Sequence, residues 1–223
     1  MDGAFIAKHA SMYVRAAGLT LRIALVGIGL SLAVGALCCA ARRVKVPVLS
    51  KLCGAYVELA RNTPLLIQLF FLYFGLPRVG VRVSSEACAV IGLTFLGGAY
   101  MAEALRSGLD AVDRAQIEAG QCIGLSPAQN MRCVVLPQAV ATAIPALWAN
   151  VIFLIKETSV FSAVALADLM YVAKDLIGMY YKTDEALLML VVSYLIILLP
   201  LSAAGALLEG RLRHAGLGNQ RSV

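Results

Sequence analysis

The chain has 223 residues, of which 61% are hydrophobic and 14% charged, with a formal net charge of +6 and a mean hydropathy of +0.83. A soluble domain carries about a quarter charged residues, so this composition excludes one and defines an integral membrane protein with little mass to spare for a soluble part. The positive balance does not call for nucleic acid either, because no basic stripe interleaves with aromatics and the cations fall at the ends of apolar runs, where membrane topology uses them.

Residues 1–18 hold Lys8, His9 and Arg15 and predict an amphipathic lead-in. Residues 19–41 form the first apolar run, enough for a span of roughly 20 residues. Arg42-Arg43-Val44-Lys45 follows in place of a small-residue cleavage site, so the run reads as a membrane helix and not as a signal peptide. The second span, 55–76, carries Glu58 and Arg61, breaks at Asn62-Thr63-Pro64 and then turns strongly apolar with Gln68 inside. Two readings stand. The helix is interrupted near one membrane face and marks a transport route, where freed backbone groups need water or protein around them; or an amphipathic surface helix ends at Arg61 and a tilted span follows. The third span, 87–105, is rich in small residues that permit close packing, and Glu103 and Arg106 at its end form an i,i+3 pair.

Residues 113–135 are polar and punctuated. Asp113 predicts an N-cap with Gln116 in the capping-box position, and Gly124 ends that helix in a left-handed conformation. Ser126 caps a second helix with Pro127 at its first position and Gln129 at its third. The expected product is a cytoplasmic helix-turn-helix joined through Leu136-Pro137 to the fourth span, 136–155. On that span Thr142, Ala146, Ala149, Asn150, Phe153 and Glu157 share one stripe at helical spacing. Asn150 is costly in hydrocarbon and should face a partner helix or a watery path. Pro145 frees a carbonyl nearby. Thr63, Gln68, Asn150 and Glu157 are the candidate lining of a substrate path, with Lys156 near its mouth and Thr158 and Ser159 beside it. The alternative is that Asn150 only bridges helices and Lys156 snorkels to the headgroups. Between 158 and 185, Leu169, Val172, Ala173, Leu176, Ile177 and Tyr180 recur at helical spacing and predict a short amphipathic helix. The fifth span, 186–208, contains Pro200, and 209–223 is a basic tail.

Five spans place the termini on opposite sides of the membrane. With the loop 113–135 inside, that side holds the larger share of Lys and Arg, including Arg42, Arg43, Lys45, Lys51 and Arg221, so the N-terminus is expected outside. The six cysteines form no Cys-x-x-Cys pair and read as small buried hydrophobes, and His9 and His214 stand at opposite ends of the chain. No G-x-x-x-x-G-K-[ST] occurs, so no phosphate-cradling loop of that kind is present; if ATP drives this protein, another chain binds it.

Glu118-Ala119-Gly120, Gly124, Val134 and Leu136-Pro137 resemble the Glu-Ala-Ala signature of membrane subunits of ATP-binding-cassette importers, with Gly120 for the second Ala and Val134 for Ile. Arg61-Asn62-Thr63-Pro64-Leu65-Leu66-Ile67-Gln68, Gly98-Ala99-Tyr100 with Glu103, Leu136-Pro137-Gln138-Ala139 and Lys156-Glu157-Thr158-Ser159 are similar to segments of polar amino-acid permeases, which usually have Asp where Glu157 stands. The resemblance implies an all-α type I importer permease fold. It assigns Glu118, Ala119, Gly120, Gly124, Leu136 and Pro137 to coupling with an ATPase. It also implies a second permease copy or paralogue, ATPase subunits that hold ATP and Mg, an extracytoplasmic amino-acid-binding protein, a polar amino-acid substrate, and no cofactor on this chain. Two other functions compete. An ion-coupled carrier would use Glu58, Arg61 and Lys156 but leaves the capped helix pair unexplained. An intramembrane enzyme would need a nucleophile–base pair or metal cluster within the spans.

Overall fold

The structure is a computed structural model that describes residues 1–43 and 46–214, with the side chains of 212–214 left aside; Lys45 and Arg221 lie outside the described residues. The described residues form helices and connecting turns, with no strand. Four helices are long and apolar enough to cross a membrane, and a bent pair makes a fifth span if counted as one.

Helix α1 runs unbroken from Gly3 to Arg43, so the lead-in and first span are one element. It lies along α4 (Ser85–Asp110), the helix at the centre of the bundle. Leu93 packs at Gly27, Ser31 at Gly97 and Met101 at Gly35, so the two helices run parallel. A side chain at Gly97 would collide with the Ser31 hydroxyl, which donates to Gly27 O at 2.7 Å and Leu93 O at 3.2 Å. Small residues here let two backbones approach where apolar burial alone gives no preference over lipid.

The second span is broken, and it starts earlier than 55. Helix α2 covers Pro47–Arg61 and α3 covers Leu65–Phe70, continuing through a π turn and a 3-10 turn to Val79. The two arms meet at 100°. Pro64 is the cause: it has no N–H to continue the ladder and sits at φ −58°, ψ 140°. At 1.5 Å per residue each arm reaches about 22 Å, short of the roughly 30 Å of hydrocarbon. Gln68 repairs part of the break, since its Nε2 donates to the freed carbonyls of Ala60 (3.2 Å) and Thr63 (3.0 Å).

Beyond α4 come α5 (Arg114–Cys122) and α6 (Pro127–Asn130). A π turn over Met131–Val135 leads directly into α7 (Leu136–Glu157). Helix α7 runs antiparallel to α4: Ala139 and Ala143 crowd Gly108, while Leu154 reaches Gly97. A 3-10 segment, Thr158–Val164, leads to α8 (Leu169–Tyr180) and then α9 (Thr183–His214). The expected short helix falls on α8, burying Leu169, Val172, Ala173 and Leu176. Helix α9 continues six residues past 208, so the first part of the expected tail is helical.

The start of α1 is tied to the start of α9. Tyr13 Oη donates to Ala186 O at 2.8 Å, the Asp2 N–H donates to Glu185 at 2.9 Å, and the rings of Phe5, His9 and Tyr180 cluster in tilted and edge-on contacts. With α1, α4 and α9 parallel and α7 returning between them, α5 and α6 lie at one end of the bundle and the α1–α9 junction at the other. Between α7 and α9, Asp168 caps α8, its Oδ1 accepting the Tyr171 N–H at 2.8 Å. Its Oδ2 is buried without a hydrogen-bond partner, and burial pushes this carboxyl up to about 6, against the N–H bonds that lower it.

Candidate functional site

Two regions carry the chemistry. The first is the α5–α6 pair. Asp113 caps α5 by accepting the Ala115 N–H at 3.0 Å; Gln116 does not complete the expected box, and its own N–H goes to the Asp113 backbone carbonyl. Gly124 takes φ +84°. The Gly124 N–H reaches Gln121 O and the Leu125 N–H reaches Gly120 O, the paired bonds of a Schellman ending. Ser126 and Gln129 form a complete capping box. Asn130, buried, donates to Ile117 O at 2.7 Å and locks the second helix onto the first. Gly120 is buried beneath it, whereas Glu118 and Ala119 are exposed, as are Leu136 and Pro137. The pair is thus a small rigid knob, continuous with α7, that offers one open face.

The second region surrounds the break between α2 and α3. A cavity of about 330 Å³ lies between the break, the middle of α4 and the end of α7, and Arg61, Thr63, Leu96, Tyr100, Phe153 and Glu157 are prominent in its lining. A second cavity of about 350 Å³ lies further toward the α5–α6 end, faced by Arg42, Glu58, Arg61, Tyr100 and Glu103. Arg61 belongs to both, and its guanidinium sits 5.3 Å from the centre of the Tyr100 ring. Glu103 accepts from Arg42 at 2.7 Å and Arg106 at 2.9 Å, while Arg61 stands off at 3.8 Å. The expected Glu103–Arg106 pair therefore forms, inside a larger cluster.

Of the path residues read from the sequence, Thr63 and Glu157 line the first cavity. Glu157 lies level with the middle of α4 rather than at an outer mouth, since its neighbour Leu154 touches Gly97. The Thr63 hydroxyl donates to Leu59 O. Asn150 Nδ2 donates to Tyr100 O at 3.2 Å, bridging α7 to α4. Thr158 is buried against Ile155 O and Tyr194 Oη, Gln68 is spent on the break, Lys156 is exposed and Ser159 is half-buried. Tyr100 and Arg42 face these cavities without belonging to the path expected from the sequence. Tyr100 had a signal, an aromatic polar tip in a small-residue run one turn before Glu103; Arg42 had none beyond its place in a basic patch.

A helical bundle with a broken span at a charged cavity, and a capped helix pair projecting from the helix beside it, defines a membrane transport subunit. The family described as "Binding-protein-dependent transport system inner membrane component" matches residues 25–214, and the chain belongs to it. It is 37% identical over 176 residues to the probable glutamine ABC transporter permease protein GlnP of Bacillus subtilis (strain 168), covering 79% of this chain and 81% of that one. It is 31% identical over 204 residues to the glutamine transport system permease protein GlnP of Escherichia coli (strain K12), covering 91% and 93%. The fold matches a chain from the crystal structure of an amino acid ABC transporter with histidines, at a TM-score of 0.90 and 28% identity, over 95% of this chain and 99% of that one. The chain is a type I ABC importer permease by fold and a multi-pass component of an inner membrane.

Proposed function

We infer that this chain carries a polar amino acid inward by alternating access, driven by ATP bound with Mg on separate ATPase subunits, with no cofactor of its own. The ATPase groove receives the exposed face of α5 around Glu118 and Ala119, a helix-in-groove contact. A second permease copy or a paralogue completes the path. An extracytoplasmic amino-acid-binding protein docks at the α1–α9 end, which puts the N-terminus outside and the C-terminus inside. The observation that carries this reading is the cavity at mid-depth with the Arg61 guanidinium and the Glu157 carboxylate on its walls. Opposite charges in hydrocarbon are costly, and this pair is complementary to the carboxylate and ammonium groups that every amino acid presents.

The test is uptake of radiolabelled amino acids by proteoliposomes holding the full transporter. Glu157→Gln should impair uptake while ATPase assembly and binding-protein docking survive. Asn150→Leu, which cuts the tie to Tyr100, should do the same through misplaced walls. Transport of both variants at the unmodified rate sinks the assignment of this face. Uptake that persists with the ATPase inactivated makes the chain an ion-coupled carrier instead.

A further inference from the structure

The second cavity holds one charge that the described residues leave without an ion pair, Glu58, and one that they hold loosely, Arg61. Glu103 is already satisfied by Arg42 and Arg106, both within 2.9 Å. Arg61, at 3.8 Å, is the loosest of its three cations and, among the described residues, makes no hydrogen bond. Glu58, one turn earlier on α2, faces the same cavity and forms no ion pair with Arg61 or any other described cation. A carboxylate without an ion pair and a guanidinium held only by the long contact to Glu103 and by the Tyr100 ring, one helical turn apart on a single wall, make a two-point receptor for a zwitterion. The space of about 350 Å³ falls in the range of small-molecule sites.

We propose that this cavity is a second amino-acid station, holding the substrate carboxylate on Arg61 and its ammonium on Glu58. It lies on the α5–α6 side of the first cavity, so it serves as the station from which substrate leaves; this direction rests on the function proposed above. Arg61 is the hand-over group because it faces both cavities. A substrate whose carboxylate stays on Arg61 passes from one to the other by moving its ammonium from Glu157 to Glu58. Glu103 receives the guanidinium when the substrate has gone, resetting the wall. Tyr100 beneath the guanidinium keeps it in the plane between the two spaces.

The test compares Glu58→Gln, Glu58→Asp and Glu157→Gln in the full transporter, reconstituted with its ATPase and binding protein. The probes are labelled L-glutamine, L-glutamate, L-histidine and L-arginine. Glu58→Gln is expected to lower maximal uptake about tenfold, the loss of one charge-assisted contact, with KM unchanged. Glu58→Asp should restore most of the rate. Glu157→Gln should act on KM as well. A merely structural Glu58 would lower rate and assembled protein together, so uptake is normalised to monodisperse complex, and a normalised rate equal to wild type in Glu58→Gln overturns the station. If Glu157→Gln is impaired while Glu58→Gln is normal, the first cavity stands and the second does not. Wild-type protein that takes up none of the four probes overturns both.

Discussion

The carboxamide of Asn130 lies where a side chain on Gly120 would begin: a Cβ at position 120 would stand 2.6 Å from Asn130 Oδ1. Glycine costs a helix about 1 kcal/mol relative to alanine, and here that cost admits a buried amide that binds α6 to α5 through Ile117 O at 2.7 Å. Gly120→Ala is therefore expected to destabilise the pair despite its better helix propensity. Asn130→Ala should cost about 1 kcal/mol for the lost bond. The double variant should be more stable than the sum of the singles predicts, a coupling that thermal unfolding in a double-mutant cycle measures; strict additivity would show that the two residues act independently.

A second prediction concerns the turn. Gly124 at φ +84° holds a conformation that costs an L-residue roughly 1–2 kcal/mol, and a β-branched side chain more. Gly124→Val should leave membrane insertion intact and abolish stimulation of ATP hydrolysis by the binding protein. Glu118→Lys, on the exposed face of α5, should uncouple in the same way without strain. Normal stimulated hydrolysis in both variants removes the α5 face from the contact.

The α5–α6 pair was legible in the sequence because its rules are local. Asp113, Gly124 and Ser126-Pro127 announce caps and a turn within a few residues, and the capped helices follow. The packing of Asn130 against Gly120 was not legible, since it joins two helices across the turn. The cavities escaped for a similar reason. Arg42, Arg61 and Glu103 stand on three helices, and only the parallel run of α1 along α4 and the break at Pro64 bring them together. The stripe on α7 had the right spacing, yet spacing does not say what faces it: Asn150 meets a backbone carbonyl, whereas Glu157 meets the cavity.

Asp168 makes stability depend on pH. Its carboxyl titrates at about 6 when folded, against an ordinary value of 3.8, so the folded state holds the proton more tightly. The stabilisation is fully present below about 3.8 and is lost as pH rises through about 6, on the order of 2–3 kcal/mol in all. Asp168→Asn keeps the acceptor that caps α8 and never ionises. It should unfold at a higher temperature than wild type at pH 8, with the gap narrowing as pH falls through about 6 and closing only below about 3.8. Parallel melting curves across that range would show that Asp168 is not the group responsible.

Topology has a direct test. Cys122 and Cys133 are exposed thiols at the α5–α6 end, while Cys38, Cys39 and Cys88 are buried. In cells, an impermeant thiol reagent should label neither exposed cysteine until it is given access to the cytoplasm, and a tag at the N-terminus should be reached from outside. A tag protected in intact spheroplasts would overturn the orientation.

Helix α1 is also a strut. Its 41 residues contain no proline and extend about 60 Å, twice the thickness of the hydrocarbon. One end is bolted to α9 by Tyr13, and the other is clasped to α4 by Arg42 on Glu103. Between these two ties it is continuous and pressed against α4 at Gly27, Ser31 and Gly35, so one unbroken helix joins the α9 junction to the arginine clasp beside the second cavity.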